Sequence, residues 1–322
     1  MLALAALAAI AATHAAIAAD AYPSRAITMV IPFSAGGPTD IVGRVMAERM
    51  GQILGAQFVV ENVVGAGGMT GGARVARAAP DGYQVFVGTV GTHAQNQSLY
   101  AKPQYNAVED FAPVALIAEV PLVLVARNDL PASDLPGFIA YAKTNQKAMN
   151  FASSGAGAAV HLGCLMLNIA MGVEVAHVAY RGSAPALNDI VGGRIDYMCE
   201  VISTIGEQVK GGNLKAIALL HDHRSPTLPD LKTADEQGLK GFSAYTWNAL
   251  FLPKGTPDEI VAKLNAAAVA AISDPVTRKR LEDLGYAVAR PERATPAYLG
   301  QFVRDEIKKW EGPIKASGVR VE

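Results

Sequence analysis

"ITMVIPFSAGGPTDIVGRVMAERMGQIL" (27–54) contains three kinds of sequence in succession. Residues 27–33 are apolar and β-branched, which reads as a buried strand. "SAGGPTD" (34–40) is a turn, and 41–54 repeats apolar residues at helical spacing. The turn has two glycines and a proline but no lysine, cysteine or histidine, a poor catalytic set. It joins the end of a strand to the start of a helix, where unpaired backbone N–H groups carry about half a positive charge. Glycines let a ligand approach that backbone closely, so such a turn binds anions without a cationic side chain.

Strand and helix alternate outward from this unit. "QFVVEN" (57–62) and "YQVFVGT" (83–89) read as strands on either side of "GAGGMTGG" and a short helix. "FAPVALIAEVPLVLVARNDL" (111–130) reads as two strands joined at a crossing near 119–121, because Pro121 breaks a central strand. The second half repeats the pattern. A helix over 136–145 precedes strand 148–154, and "SSGAGAA" leads into helix 160–172. Strand 173–180 then enters "YRGSAPA", whose helix has Ser183 at its cap and Pro185 in its first turn. Strands 194–201 and 213–220, a second crossing near 243 and three C-terminal helices complete the chain. The expected architecture is α/β, with parallel sheets covered by helices on both faces. Two lobes, 22–120 plus 244–322 and 121–243, are joined by two strands around a cleft. Ligands in such folds bind beyond the carboxyl ends of strands.

The chain has 322 residues, 51% of them hydrophobic, and a net charge of −1, which gives no electrostatic footprint for nucleic acid. The first 21 residues are small and apolar, reading as a secretory signal with cleavage options at Ala18, Ala19 or Ala21. No lysine or arginine precedes the apolar run, so the true start is expected upstream or the sequence clipped. Cys164 and Cys199 are the two cysteines. Export permits a bridge, but a predicted helix and a predicted strand carry them and nothing fixes their distance, so pairing is not expected. Enzyme motifs are incomplete: "GAGAAV" has Val160 where a dinucleotide fingerprint needs its third glycine, and there is no Gly-x-Ser-x-Gly. His93, His161, His177, His221 and His223 form no metal spacing, and "HDH" (221–223) reads as a solvated loop. Glu200 ends a strand aimed at the cleft and is either a site residue or structural. Trp247, on the second crossing, is either a hinge core residue or a lid over ligand.

Four blocks carry a resemblance: "YPSRAITMVIPFSAGGPTDIVGRVMAERM", "VVENVVGAGGMTGGARVARAAPDGY", "HVAYRGSAPALNDIVGGRIDYM" and "RSPTLPDLKTADEQGLKGFSAYTWNALFLPKGTP". Together they resemble the Bug-type solute receptors, the periplasmic binding components of tripartite tricarboxylate transporters. The resemblance implies a type-II periplasmic binding protein fold, a hinge between two α/β lobes, and no enzymatic activity. It implies a small organic carboxylate as ligand (mono-, di- or aromatic), membrane permease subunits as partners, a monomer, and neither cofactor nor metal. Carried over, the first turn supplies Phe33, Ser34, Gly36, Gly37, Thr39 and Asp40. The second-lobe turn supplies Ser153, Ser154, Gly155, Gly157, Ala158 and Ala159, with His161 following. Thr89, Tyr180, Arg181 and Gly182 lie at other strand ends facing the cleft.

Two departures from the family pattern matter. Ala35 replaces a usual proline, and Ala158, Ala159 and Val160 stand where hydroxyl residues are common. Each lost side-chain bond is worth roughly 0.5–1.5 kcal/mol net. An apolar or water-held ligand end is therefore expected at the second lobe. Glu200 would accept from an amine or hydroxyl there, or repel a second carboxylate. Two other readings stay open: a sensing receptor without transport, and an enzyme on the same scaffold.

Overall fold

Strand β1 (Ile27–Ile31) and helix α1 (Pro38–Leu54) form the unit that the opening stretch encodes. The computed structural model describes residues 22–155, 158–180 and 182–320. Helix α1 begins at Pro38, whose fixed φ suits a first helical position, and ends on Gly55 in the left-handed region. Val42, Val45, Met46 and Met50 recur at three- and four-residue spacing and are buried. Burying each such side chain contributes roughly 1.5–3 kcal/mol.

The first lobe continues through β2 (Phe58–Asn62), α2 (Met69–Ala76), β3 (Gln84–Thr89), a π-helical turn over 91–95 and α3 (Asn96–Leu99). β4 (Phe111–Ala126) leads into the second lobe, built from α4 (Leu135–Asn145), β5 (Asn150–Ser153), α5 (Ala159–Met171), β6 (Ala176–Ala179), α6 (Ser183–Val191), β7 (Tyr197–Val201), α7 (Ile202–Lys210) and β8 (Lys215–Leu220). β9 (Tyr245–Pro253) returns to the first lobe, followed by α8 (Asp258–Ser273), α9 (Pro275–Asp283), β10 (Ala287–Val288) and α10 (Pro296–Ser317).

The two lobes share strand β4. Over Phe111–Pro121 it pairs with β9, and from Leu122 to Ala126 with β7 and β8. The expectation of two strands broken at Pro121 is thus corrected to one strand of 16 residues. Proline is tolerated because its missing N–H falls where the strand changes partners. The second crossing is handed over at the same level: Ala244 N–H donates to Leu220 O (2.8 Å), and Ala244 O accepts from Leu122 N–H (3.2 Å). The sheets are also mixed. β1, β2 and β3 are mutually parallel, as are β5, β6 and β7, but β9 is antiparallel to β3 and β4, and β4 to β7 and β8. A strand that crosses between lobes enters each sheet from outside the β–α repeat, so it need not share its direction.

Cys164 and Cys199 are bonded, with Cα atoms 5.2 Å apart, which corrects the expectation of free thiols. Helix α5 lies unusually close to the sheet because residue 163 is glycine. A Cβ there would stand 2.3 Å from Leu122 Cδ1. That close approach sets Cys164 against Cys199 on β7, both fully buried.

The second crossing is braced from behind by α10. Trp247 is fully buried, and its Nε1–H donates to Glu306 Oε2 (2.9 Å). Glu306 also accepts from Tyr245 Oη (3.2 Å) and Trp310 Nε1 (3.3 Å). Next to Trp247 in register, buried Glu119 takes both guanidinium nitrogens of Arg293 (2.7 and 2.8 Å). Of the two readings open for Trp247, the hinge core residue is the one its burial fits. Its indole faces α10 rather than a ligand.

Candidate functional site

The first-lobe turn is a cradle of main-chain donors held from beneath by one carboxylate. Gly36 has φ +80° and its N–H donates to Asp40 Oδ2 (2.9 Å). Asp40 also receives Arg44 Nε (2.8 Å) and Asn62 Nδ2 (2.8 Å), and Asn62 Nδ2 reaches Phe33 O (2.9 Å). Burial alone would raise the Asp40 pKa, but the bonds from Arg44, Asn62 and Gly36 outweigh it and hold the carboxyl below its ordinary value. Asp40, expected from sequence among the ligand contacts, is only 2% exposed, and its side chain positions the turn. With Arg44 balancing its charge, the attracting groups that remain are the amides. Those of Thr39 and Asp40, the second and third residues of α1, find no acceptor among the described residues. Ser34 and Gly36 are exposed, while Phe33, Gly37 and Thr39 are half-buried around them.

Two further buried polar residues, one on β9 and one after β3, were not singled out by sequence reading. Asn248 on β9 is buried beside Thr89 in register, and its Nδ2 reaches toward Thr39 Oγ1 (3.4 Å). Gln95, in the π-helical turn that follows β3, is fully buried, and neither its amide oxygen nor its nitrogen has a partner among the described residues. Thr89 closes that turn through reciprocal bonds with Thr92. The available signal was a lone asparagine within the apolar stretch "TWNALFLP".

In the second lobe the turns after β5 and β6 are tied together. Tyr180 N–H donates to Ser153 O (3.0 Å) and Gly182 N–H to Ser154 O (3.2 Å). Helix α5 begins beyond Gly155 and Ala158, and the amides of Ala159 and Val160 find no acceptor among the described residues. Gly157 and Arg181 lie outside the described residues. Tyr180 turns its hydroxyl to Asp189 Oδ2 (2.7 Å) on α6.

Ser153 and His177 form a serine–histidine contact (Oγ to Nε2, 2.7 Å) that sequence separation concealed. The hydroxyl is fully buried and donates to Gly155 O (2.9 Å), so it latches the turn instead of facing a substrate. His161 stacks on His177 with ring centroids 3.8 Å apart. Burial first, and the His177 charge second, lower its pKa from 6.5 to about 4, and burial lowers His93 to about 3. A histidine that resists protonation when folded leaves the unfolded chain to take up protons first. Stability is therefore full above about pH 6.5 and falls as pH drops toward 4. Urea midpoints should be lower at pH 5 than at pH 7.5, with a shallower slope in His161→Gln. Equal slopes in the two proteins would refute this role for His161.

Ser183 is expected at a helix cap, but Gly182 occupies that position and Ser183 opens α6. Its hydroxyl is drawn to Glu200, donating to Oε2 (2.5 Å), while Val201 N–H donates to Oε1 (2.8 Å). Glu200 is 2% exposed; burial pushes its carboxyl up, and the Ser183 and Val201 bonds pull against that. Glu200 thus ties the side chain of the first α6 residue to the end of β7.

The histidines at 221 and 223 also depart from expectation. Their ligating atoms and those of Asp222 lie within 4.8 Å of one another, a metal spacing that the sequence reading did not credit. The bend after β8 brings the three ligating atoms together, with His221 buried and Asp222 and His223 exposed.

Residues 42–319 match the family described as Tripartite tricarboxylate transporter family receptor, TctC. The chain belongs to the TctC receptor family. MatC from Rhodopseudomonas palustris, solved with bound malate, is 42% identical, with a TM-score of 0.79 over 91% of this chain and 100% of that one. Rpa4515 of R. palustris, solved with adipate, is 32% identical, with a TM-score of 0.80 over 92% of this chain and 98% of that one. BugT of Bordetella pertussis is 34% identical across 95% of this chain and 93% of its own length. The TctC fold is the two-lobe α/β binding-protein fold, and the family consists of receptors.

Proposed function

We propose that this chain is an exported receptor that closes its lobes on a small organic carboxylate and delivers it to the membrane subunits of a tripartite transporter. The observation that carries the reading is the pair of amides, Thr39 and Asp40, at the start of α1 that have no acceptor among the described residues. They sit beside Ser34 and Thr39 with no competing cation in the turn. The malate and adipate bound by the two R. palustris relatives support a carboxylate ligand. Residues 1–21, outside the described residues, serve as the export signal, and the lobes move about Pro121–Leu122 and Ala244–Tyr245.

In this reading the ligand's charged end sits at the first turn. The amides of Ala159 and Val160, without an acceptor among the described residues, face its other end, in the lobe where Glu200 holds the Ser183 hydroxyl. Closure lowers the local dielectric and strengthens the attraction of both turns.

A thermal-shift screen of mono-, di- and aromatic carboxylates, malate and adipate among them, tests this. A carboxylate at a hundred times its Kd should stabilise the fold by about 2.7 kcal/mol. Glu200→Gln should improve dicarboxylates relative to monocarboxylates, since it removes a like charge. No shift with any carboxylate would overturn the proposal.

A further inference from the structure

We propose a second, separate site: His221, Asp222 and His223 bind a borderline divalent transition metal of the Zn2+ class beside the hinge. His221 Nδ1 stands 2.9 Å from Asp222 Oδ1, and His223 Nδ1 stands 2.6 Å from the same oxygen. The rings are nearly perpendicular (86°), with centroids 4.2 Å apart, so neither blocks the other's nitrogen. Two imidazoles and a carboxylate are a set that suits zinc, nickel or copper and suits calcium or magnesium poorly.

Ligand atoms around a tetrahedral ion with bonds of about 2.0–2.2 Å stand about 3.3 Å apart. The present separations of 2.9 and 2.6 Å must open by about 0.4 and 0.7 Å to reach that spacing. Asp222 and His223 are exposed and can rotate, while buried His221 fixes one ligand in place. Without metal, each ring can donate Nδ1–H to the shared carboxylate oxygen. With metal, that proton moves to Nε2 and the lone pair of Nδ1 binds the ion. Water completes the coordination from a cavity of about 180 Å³ lined by Pro121, His221, His223, Glu282, Gly285 and Tyr286. Pro121 is the residue at which β4 changes partners, so the ion would sit where the lobes meet.

Calorimetric titration of the whole chain, stripped with chelator, with ZnCl2 tests the site. One Zn2+ per chain is expected, and affinity should fall by at least about tenfold in both His223→Ala and Asp222→Asn. Both positions are exposed, and circular dichroism verifies that the variants fold. No saturable binding in excess ZnCl2, or unchanged affinity in either folded variant, overturns the proposal. Neither residue belongs to the carboxylate cleft, so carboxylate binding is scored independently in the same samples.

Discussion

A Gly36→Val chain should fold normally and bind its carboxylate about a hundredfold more weakly. Gly36 has φ +80°, a conformation that costs a non-glycine residue about 1–3 kcal/mol, and a β-branched one the most. Its Cβ would meet nothing within 4 Å, so the core is untouched. The strain is relieved by turning the 34–37 backbone, which breaks the Gly36 to Asp40 bond and displaces the start of α1. A displacement of about 1 Å in a prepositioned site is enough for a loss of that size. Gly36→Asn is the matched control: asparagine tolerates the left-handed region, and binding should stay within a few-fold. Calorimetry with the tightest carboxylate from the screen decides it. Wild-type affinity in Gly36→Val would remove the first turn from the site.

Removing the disulfide should have the largest effect on stability. Cys164 and Cys199 are 35 residues apart, and in the chain-entropy account closing such a loop stabilises by roughly 3–4 kcal/mol. Cys164→Ala with Cys199→Ala should lower the melting temperature by on the order of 10 °C. Alanine is the substitution of choice because serine would bury an unpartnered hydroxyl between α5 and β7. The expected partner effect is slow reduction of the native bridge, since both sulfurs are fully buried. An unchanged melting temperature in the double variant would mean that α5 is held to the sheet by packing around Gly163 alone.

What could be read from sequence was what is local along the chain. The strand, turn and helix at 27–54 are adjacent, so their hydrophobic period and glycines were enough to place the strand–turn–helix unit. The roles of single residues were harder, because a side chain's direction depends on what lies across the fold. Asp40 appears in a ligand-facing motif, yet Asn62 and Arg44 draw its carboxylate beneath the turn. Ser183 has the chemistry of a helix cap, but Glu200, 17 positions away, takes its hydroxyl. The bridge needed the closeness that Gly163 permits, and Trp247 needed Glu306 from a helix 59 residues later. Pro121 was read correctly as a crossing and wrongly as a break. The rule against proline in strands concerns a missing bond, and here the bond is not required.

In the proposed reading main-chain atoms hold the charged end of the ligand, which has a consequence for how such receptors diversify. Almost any substitution at Ser34, Ala35 or Thr39 leaves the peptide N–H groups of α1 where they are, so capture of a carboxylate is robust to drift. In the other lobe, Ala158 and Ala159 can vary without touching that capture, whereas buried Glu200 is constrained by its bonds to Ser183 and Val201. The proposed recognition is divided into a constant handle and an editable end. Redesign for a new acid can begin at the second lobe with the first left untouched.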